Sequence, residues 1–343
     1  MFVPRRHRFF AAVVALIVVL LAACDANPPD RRADVASFTD RIREMPGVVA
    51  ATYDIADSRA QGMVYFTIYV DVADNLTGEQ LRTITARYLR QLRTGKYAGY
   101  RAELDVRHGW NLFAVESGRL PITNTDQIVQ QAGTWVALRS EFPGATVRFR
   151  ATVAHPDGQM PIQEFGHSNA ATITLAGGAD YAGVAATART LGDRFPHLAS
   201  IDWTISAGKD HPAQIVTSRR LPTAAELDVW NRLNADQFIP HIDRLRINGP
   251  ATPAVWISEE TTQSRDVAVA LELAKRHLPI AATLPAPVLY SASDQISGHI
   301  GDQGFARGPV SVTIGGCTKR DPLVYRPIPA EQDLINRYET CAP

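Results

Sequence analysis

The sequence predicts an α+β fold. It reads as three tandem units of order α-β-β-α-β-β, each with two helices on an antiparallel sheet, a ferredoxin-like layout with the chain order permuted. Three observations carry this expectation. Short landmarks recur along the chain: Val115, Ser117, Arg119, Leu120 and Pro121 return as Val216, Ser218, Arg220, Leu221 and Pro222, about 101 residues on. Glu44-Met45-Pro46-Gly47 likewise returns as Glu141-Phe142-Pro143-Gly144, about 97 residues on. Finally, apolar residues at helical spacing alternate with β-rich runs, in a chain that is 45% hydrophobic.

Residues 25–34, with Pro28, Pro29, Asp30, Arg31 and Arg32, read as a polar tether. Three units follow at 35–118, 119–219 and 220–316, and then a tail at 317–343. Each unit opens with a helix, at 35–45, 126–142 and 224–238. In the first two, a proline soon after the helix end stops it and turns the chain into the next strand. The second helix of unit one begins at Thr77-Gly78-Glu79-Gln80, a capping-box sequence, and carries Leu81, Ile84, Tyr88 and Leu92 on one stripe. Its counterparts carry Tyr181, Val184, Ala188, Leu191 and Phe195, and then Val267, Leu271, Ala274 and Leu278 behind a Ser264 cap. Strands are expected before these helices at 64–72, 170–175 and 254–257. Further strands are expected after them at 102–106, 111–115, 200–206, 214–217, 287–290 and 310–314.

The amino terminus points to an address. Arg5, Arg6 and Arg8 precede an apolar stretch from Phe9 to Ala23, too short for a comfortable membrane span, which ends in Leu21-Ala22-Ala23-Cys24. This segment resembles the precursors of bacterial lipoproteins. The resemblance implies a signal peptide at 1–23, cleavage before Cys24, and lipidation of the Cys24 sulfur. Each buried methylene contributes about 0.8 kcal/mol, so several acyl chains together hold a protein firmly on a bilayer. The membrane contact would then be the N-terminal lipid, on the extracytoplasmic face of the cell membrane. No comparable apolar run occurs after residue 24.

The 35 basic and 35 acidic residues balance. Removing the first 23 takes away three arginines and no acid, which leaves a formal charge of about −3. Without a basic excess, nucleic acid is not an expected partner. With Cys24 taken by lipid, Cys317 and Cys341 remain and are predicted to form a disulfide in an oxidising compartment. Closing a loop of about 25 residues contributes roughly 3 to 4 kcal/mol in the chain-entropy picture.

Chemical signals in the body of the chain are weak. Gly166-His167-Ser168-Asn169-Ala170 imitates a nucleophile elbow, but a strand follows Ser168 instead of preceding it. His197, Asp210, His211 and His299 are scattered candidates for its partners. Gly177, Gly178 and Gly183 lack phosphate-loop spacing, and a flexible helix entry near Asp180 accounts for them. Asp71, Asp74 and Glu79 lack the pattern of a calcium loop and read as helix-start charges. The nine histidines show no metal-binding helical spacing. Trp110, Trp135, Trp203, Trp230 and Trp256 are expected in the core. No catalytic, cofactor or metal residue is therefore assigned. The expected role is a non-enzymatic binding or assembly scaffold of the cell envelope that docks an envelope protein. The alternative is a ligand-binding lipoprotein that holds a lipid, glycan or small solute between units. A serine hydrolase at Ser168 ranks behind both.

Overall fold

The computed structural model describes residues 28–58, 61–156, 168–296, 300, 308–318, 320 and 327–341. The lipobox and Cys24 lie outside the described residues, as do Gly166, His167 and His299. Helix α1 (Arg32–Arg43) is followed by β1 (Val48–Ser58), β2 (Met63–Val72), α2 (Gly78–Leu92), β3 (Arg101–His108) and β4 (Asn111–Glu116). Next come α3 (Thr125–Glu141), β5 (Thr146–Arg150), β6 (Ala170–Thr174), α4 (Tyr181–Arg194), a 3-10 turn (Pro196–Leu198), β7 (Asp202–Ser206) and β8 (Gln214–Ser218). The chain closes with α5 (Ala224–Ala235), β9 (His241–Asn248), β10 (Val255–Thr261), α6 (Val267–Ala281), β11 (Val288–Ser293), β12 (Val310–Ile314) and α7 (Pro329–Tyr338).

The expectation of three separate units, each with its own antiparallel sheet, is overturned. The twelve strands belong to one mixed sheet in chain order, which with seven helices among the described residues makes an α/β fold. Consecutive hairpin strands pair antiparallel, as in β1–β2, β3–β4, β7–β8 and β9–β10. Strands joined through a helix pair parallel: β2–β3 across α2, β6–β7 across α4, β8–β9 across α5 and β10–β11 across α6. The physical reason is edge satisfaction. A free four-stranded sheet leaves a row of backbone N–H and C=O groups open on each edge, and a helical crossover brings the next strand alongside in parallel to pair with them. Side-chain alternation reads the same for either strand direction, so the sequence does not disclose this.

The chain divides into two compact units, Met1–Ala137 with Arg150–Ser168, and Leu138–Phe149 with Asn169–Pro343. In the first, Val64, Phe66, Ile68 and Val70 of β2 and Leu104 and Val106 of β3 are buried on one face. Helix α1 covers it with Val35, Phe38 and Ile42, and α2 with Leu81, Ile84 and Tyr88. The rings of Phe38 and Tyr88 stack 6.2 Å apart, which sets the two helices on the same side. A Cβ at Gly78 would stand 3.3 Å from the Gly133 carbonyl oxygen, so small residues let α2 and α3 approach closely. In the second unit the same alternation buries Ile173, Trp203, Ile205, Ile215, Leu245, Ile257 and Tyr290. There α4 packs against α5, α5 against α6 and α6 against α7.

Local signals set the element ends. Thr77 with Gln80, and Thr223 with Glu226, form reciprocal capping boxes. Asp180 caps α4 by accepting from Gly183 N–H at 2.9 Å. Asp266, not Ser264, caps α6 by accepting from Ala268 N–H at 2.8 Å, while Ser264 Oγ supports Asp266 N–H at 3.1 Å. Gly47 and Gly144 take φ +86° and +80°, and Val48 and Ala145 donate back to the Met45 and Phe142 carbonyls. Proline second and left-handed glycine third make each a type II turn.

Candidate functional site

The second unit holds a knot of ionisable side chains in its core. His241 and Asp243 come from β9, Glu259 from β10, His277 from α6 and Tyr290 from β11. All lie on the helix-covered face, because Asp243 is in register with Glu259 and His241 with Thr261, on the same parity as Leu245–Ile257. His277 sits within the apolar stripe of Ala270, Leu273, Ala274 and Ala281 on α6. Relative exposure is 4% for His241, 1% for Asp243 and 0% for Glu259, His277 and Tyr290.

The bonding here is specific. His277 Nδ1 lies 2.8 Å from Glu259 Oε1, and Tyr290 OH donates to Glu259 Oε2. His241 Nδ1 lies 2.6 Å from the Ile239 carbonyl oxygen, so that nitrogen carries the proton. His241 Nε2 stands 3.4 Å from Asp243 Oδ1, and the two imidazole rings meet edge to face at 5.0 Å. Asp243 N–H donates to Tyr181 OH at 3.0 Å. Both Asp243 oxygens and the Nε2 atoms of His241 and His277 have no hydrogen bond of good geometry. Burial disfavours the imidazolium of each histidine, but the adjoining carboxylates, Asp243 for His241 and Glu259 for His277, outweigh it and raise both. Burial, reinforced by the Glu259 charge, raises Asp243. Burial also raises Asp236 from its side of the cluster, but its bonds to Arg276, the shortest 2.7 Å, bring it below the usual carboxylate range.

The first unit presents a different surface. On the sheet face away from α1 and α2, Arg101 lies over Tyr65 at 5.6 Å and Arg107 over Tyr69 at 4.4 Å. Tyr65 OH donates to Asp54 at 3.0 Å. Arg150 reaches Glu116 at 3.4 Å and Glu103 at 3.6 Å, and Arg107 reaches Asp105 at 2.9 Å. Burial, then the charges of Asp105 and Glu116, raise Glu103 from 4.5 to about 7. The first unit also has a cavity of about 270 Å3, lined mainly by apolar groups including Leu89, Tyr97, Tyr100 and Ile122.

Of the residues singled out from sequence, Cys317 and Cys341 stand at disulfide distance, 2.02 Å between sulfurs. Ser168 precedes β6, its side chain is buried and its Oγ has no hydrogen bond to a described histidine. Asp74 pairs with His108 at 2.6 Å and Glu79 with Arg82 at 3.2 Å, while Asp71 lies across from Arg107 in the β2–β3 register. Trp135, Trp203 and Trp230 are core residues, Trp256 is half-buried against Arg246, and Trp110 is 86% exposed at a hairpin tip.

The histidine cluster escapes a search for motifs because its members are up to 36 residues apart. A usable signal exists: His241, Asp243, Glu259 and His277 each occupy core-facing positions of an otherwise apolar pattern. No protein-family model matches the chain, and neither a curated protein nor a solved structure matches it.

Proposed function

We propose that the protein is a lipid-anchored scaffold on the extracytoplasmic face of a bacterial cell membrane, which docks an envelope protein on the polar sheet face of its first unit. The carrying observation is that face: two tyrosines under arginines, ringed by Asp54, Glu103, Asp105 and Glu116. Tyrosine and arginine supply large, oriented contact area and recur as anchors in protein interfaces. The mix of both signs suits a folded partner bearing complementary charges, and does not suit a polyanion. The lipobox supports the anchor. No helix among the described residues is long and apolar enough to cross a membrane.

Site-specific photo-crosslinkers at Thr52 and Tyr69, with a control at Asp40 on the exposed side of α1, test the docking in intact envelopes. One adduct of the same mass from both sheet positions and none from Asp40, abolished by Arg107→Ala, is the expected result. No adduct from the sheet positions would refute the docking face. The anchor has its own test: Cys24→Ser should shift the protein from the membrane to the soluble fraction and abolish incorporation of labelled palmitate.

A second reading rests on the 270 Å3 cavity, which would take a small apolar ligand. Native mass spectrometry of the purified protein separates the two, since a retained small molecule favours the cavity.

A further inference from the structure

We propose that His241, Asp243, Glu259 and His277 form a closed binding site for one divalent transition-metal ion of the zinc type, in the core of the second unit. One ligand atom each from His241, Glu259 and His277 lies within 4.8 Å of the others, and all three residues are buried. They arrive from three different elements, β9, β10 and α6, so an ion there would staple a helix to two strands.

The second, independent observation is what these groups lack. Asp243 is 1% exposed, yet neither of its oxygens makes a hydrogen bond of good geometry; its charged neighbour is His241 Nε2 at 3.4 Å, and His277 Nε2 stands 3.5 Å from Asp236, also without a well-formed bond. A buried carboxylate without hydrogen bonds is costly, and native cores avoid it unless a partner charge or a metal is present. The remaining contacts fix the orientation of these groups. His241 Nδ1–H is committed to the Ile239 carbonyl, so in the neutral ring the lone pair sits on Nε2 and faces Asp243. Tyr290 OH holds the far oxygen of Glu259, which leaves Oε1 toward His277. On the other side of the His277 ring, Nε2 points to Asp236 at 3.5 Å, the place of an orienting carboxylate.

Two imidazoles and the Glu259 carboxylate already converge, and Asp243, 3.4 Å from His241 Nε2, would complete four nitrogen and oxygen donors, a number and donor type that zinc accepts. A hard cation such as calcium would want six to eight oxygens. Metal binding displaces into solvent the proton shared by His277 Nδ1 and Glu259 Oε1 and, where His241 is protonated, its Nε2 proton as well, with no redox change. All four donors are shielded from solvent, so the ion's role is to hold the fold. A second cluster, Cys317 with Glu339 and Cys341, has its sulfurs in the disulfide and is not a competing site.

The test uses the full-length protein without reductant, unfolded in denaturant with a chelator and refolded with or without one equivalent of zinc or cobalt(II). Refolding is needed because the site is sealed. The expected result is one ion per chain after gel filtration and a melting temperature raised by about 10 °C when free zinc is about a thousandfold above its Kd. His241→Gln/Glu259→Gln should lose both the ion and the rise, while the surface variant His108→Gln keeps them. If the double variant does not fold, the cobalt(II) spectrum of the wild type decides. Intense tetrahedral bands support the site and weak octahedral bands refute it. Wild type that refolds without retaining an ion and melts at one temperature in both conditions, or a double variant that keeps the ion, also overturns the proposal.

Discussion

Glu103 is the residue whose environment most clearly ties charge to stability outside the histidine cluster. Burial and the neighbouring Asp105 and Glu116 raise its carboxyl to about 7 in the folded protein against an ordinary 4.5. A group raised on folding binds its proton more tightly in the native state. Its contribution is therefore fully present below pH 4.5 and is lost as pH rises through about 7. Unfolding free energies from urea titrations between those limits should fall with rising pH by at most about 1.4 kcal/mol per unit from this group, and Glu103→Gln should flatten that slope. An unchanged slope would place the acidic strain elsewhere. At this scale the sequence is legible only in part. Trp135 and Trp203 announce themselves as core, whereas Trp110, equally apolar, sits exposed on a hairpin tip. Position in the turn, not side-chain type, decides.

Among elements, α5 illustrates how a short sequence fixes a helix start. Thr223 Oγ1 accepts from Glu226 N–H, Glu226 returns a bond to Thr223 N–H at 2.7 Å, and Arg220 grips the same carboxylate at 2.6 and 2.8 Å. Thr223→Ala should cost about 1 kcal/mol in a denaturant titration, with the slope of the transition unchanged. Six of the seven helices were legible because capping residues and apolar stripes are local, whereas α7 lies in what was expected to be a plain tail. The strand runs at 64–72, 111–115 and 310–314 were legible for the same reason. β9 was not, because His-Ile-Asp-Arg-Leu-Arg-Ile-Asn places polar residues at core-facing positions and so hides its alternation. That same disguise concealed the histidine cluster. Strand direction was illegible on other grounds, since parallel and antiparallel pairing are decided by the crossover path and not by any residue.

At the scale of the molecule, the carboxyl-terminal end is tied back by several independent links. Gly315 N–H donates to the Tyr338 carbonyl, Thr340 N–H to the Gly316 carbonyl, and Thr313 N–H to Glu339 at 2.9 Å. Arg320 clasps Glu339 at 2.7 and 2.8 Å, and the disulfide spans a separation of 24 residues. Reduction, or Cys317→Ser, should therefore lower stability by roughly 3 kcal/mol, read as a matched loss in thermal and chemical denaturation. These links also occupy donors along the last strand of the sheet, which would otherwise face solvent. Opening the sulfur bridge together with the Arg320 clasp would uncover a sticky rim, so light scattering on adding reductant to Arg320→Ala should report self-association well before the sheet itself melts.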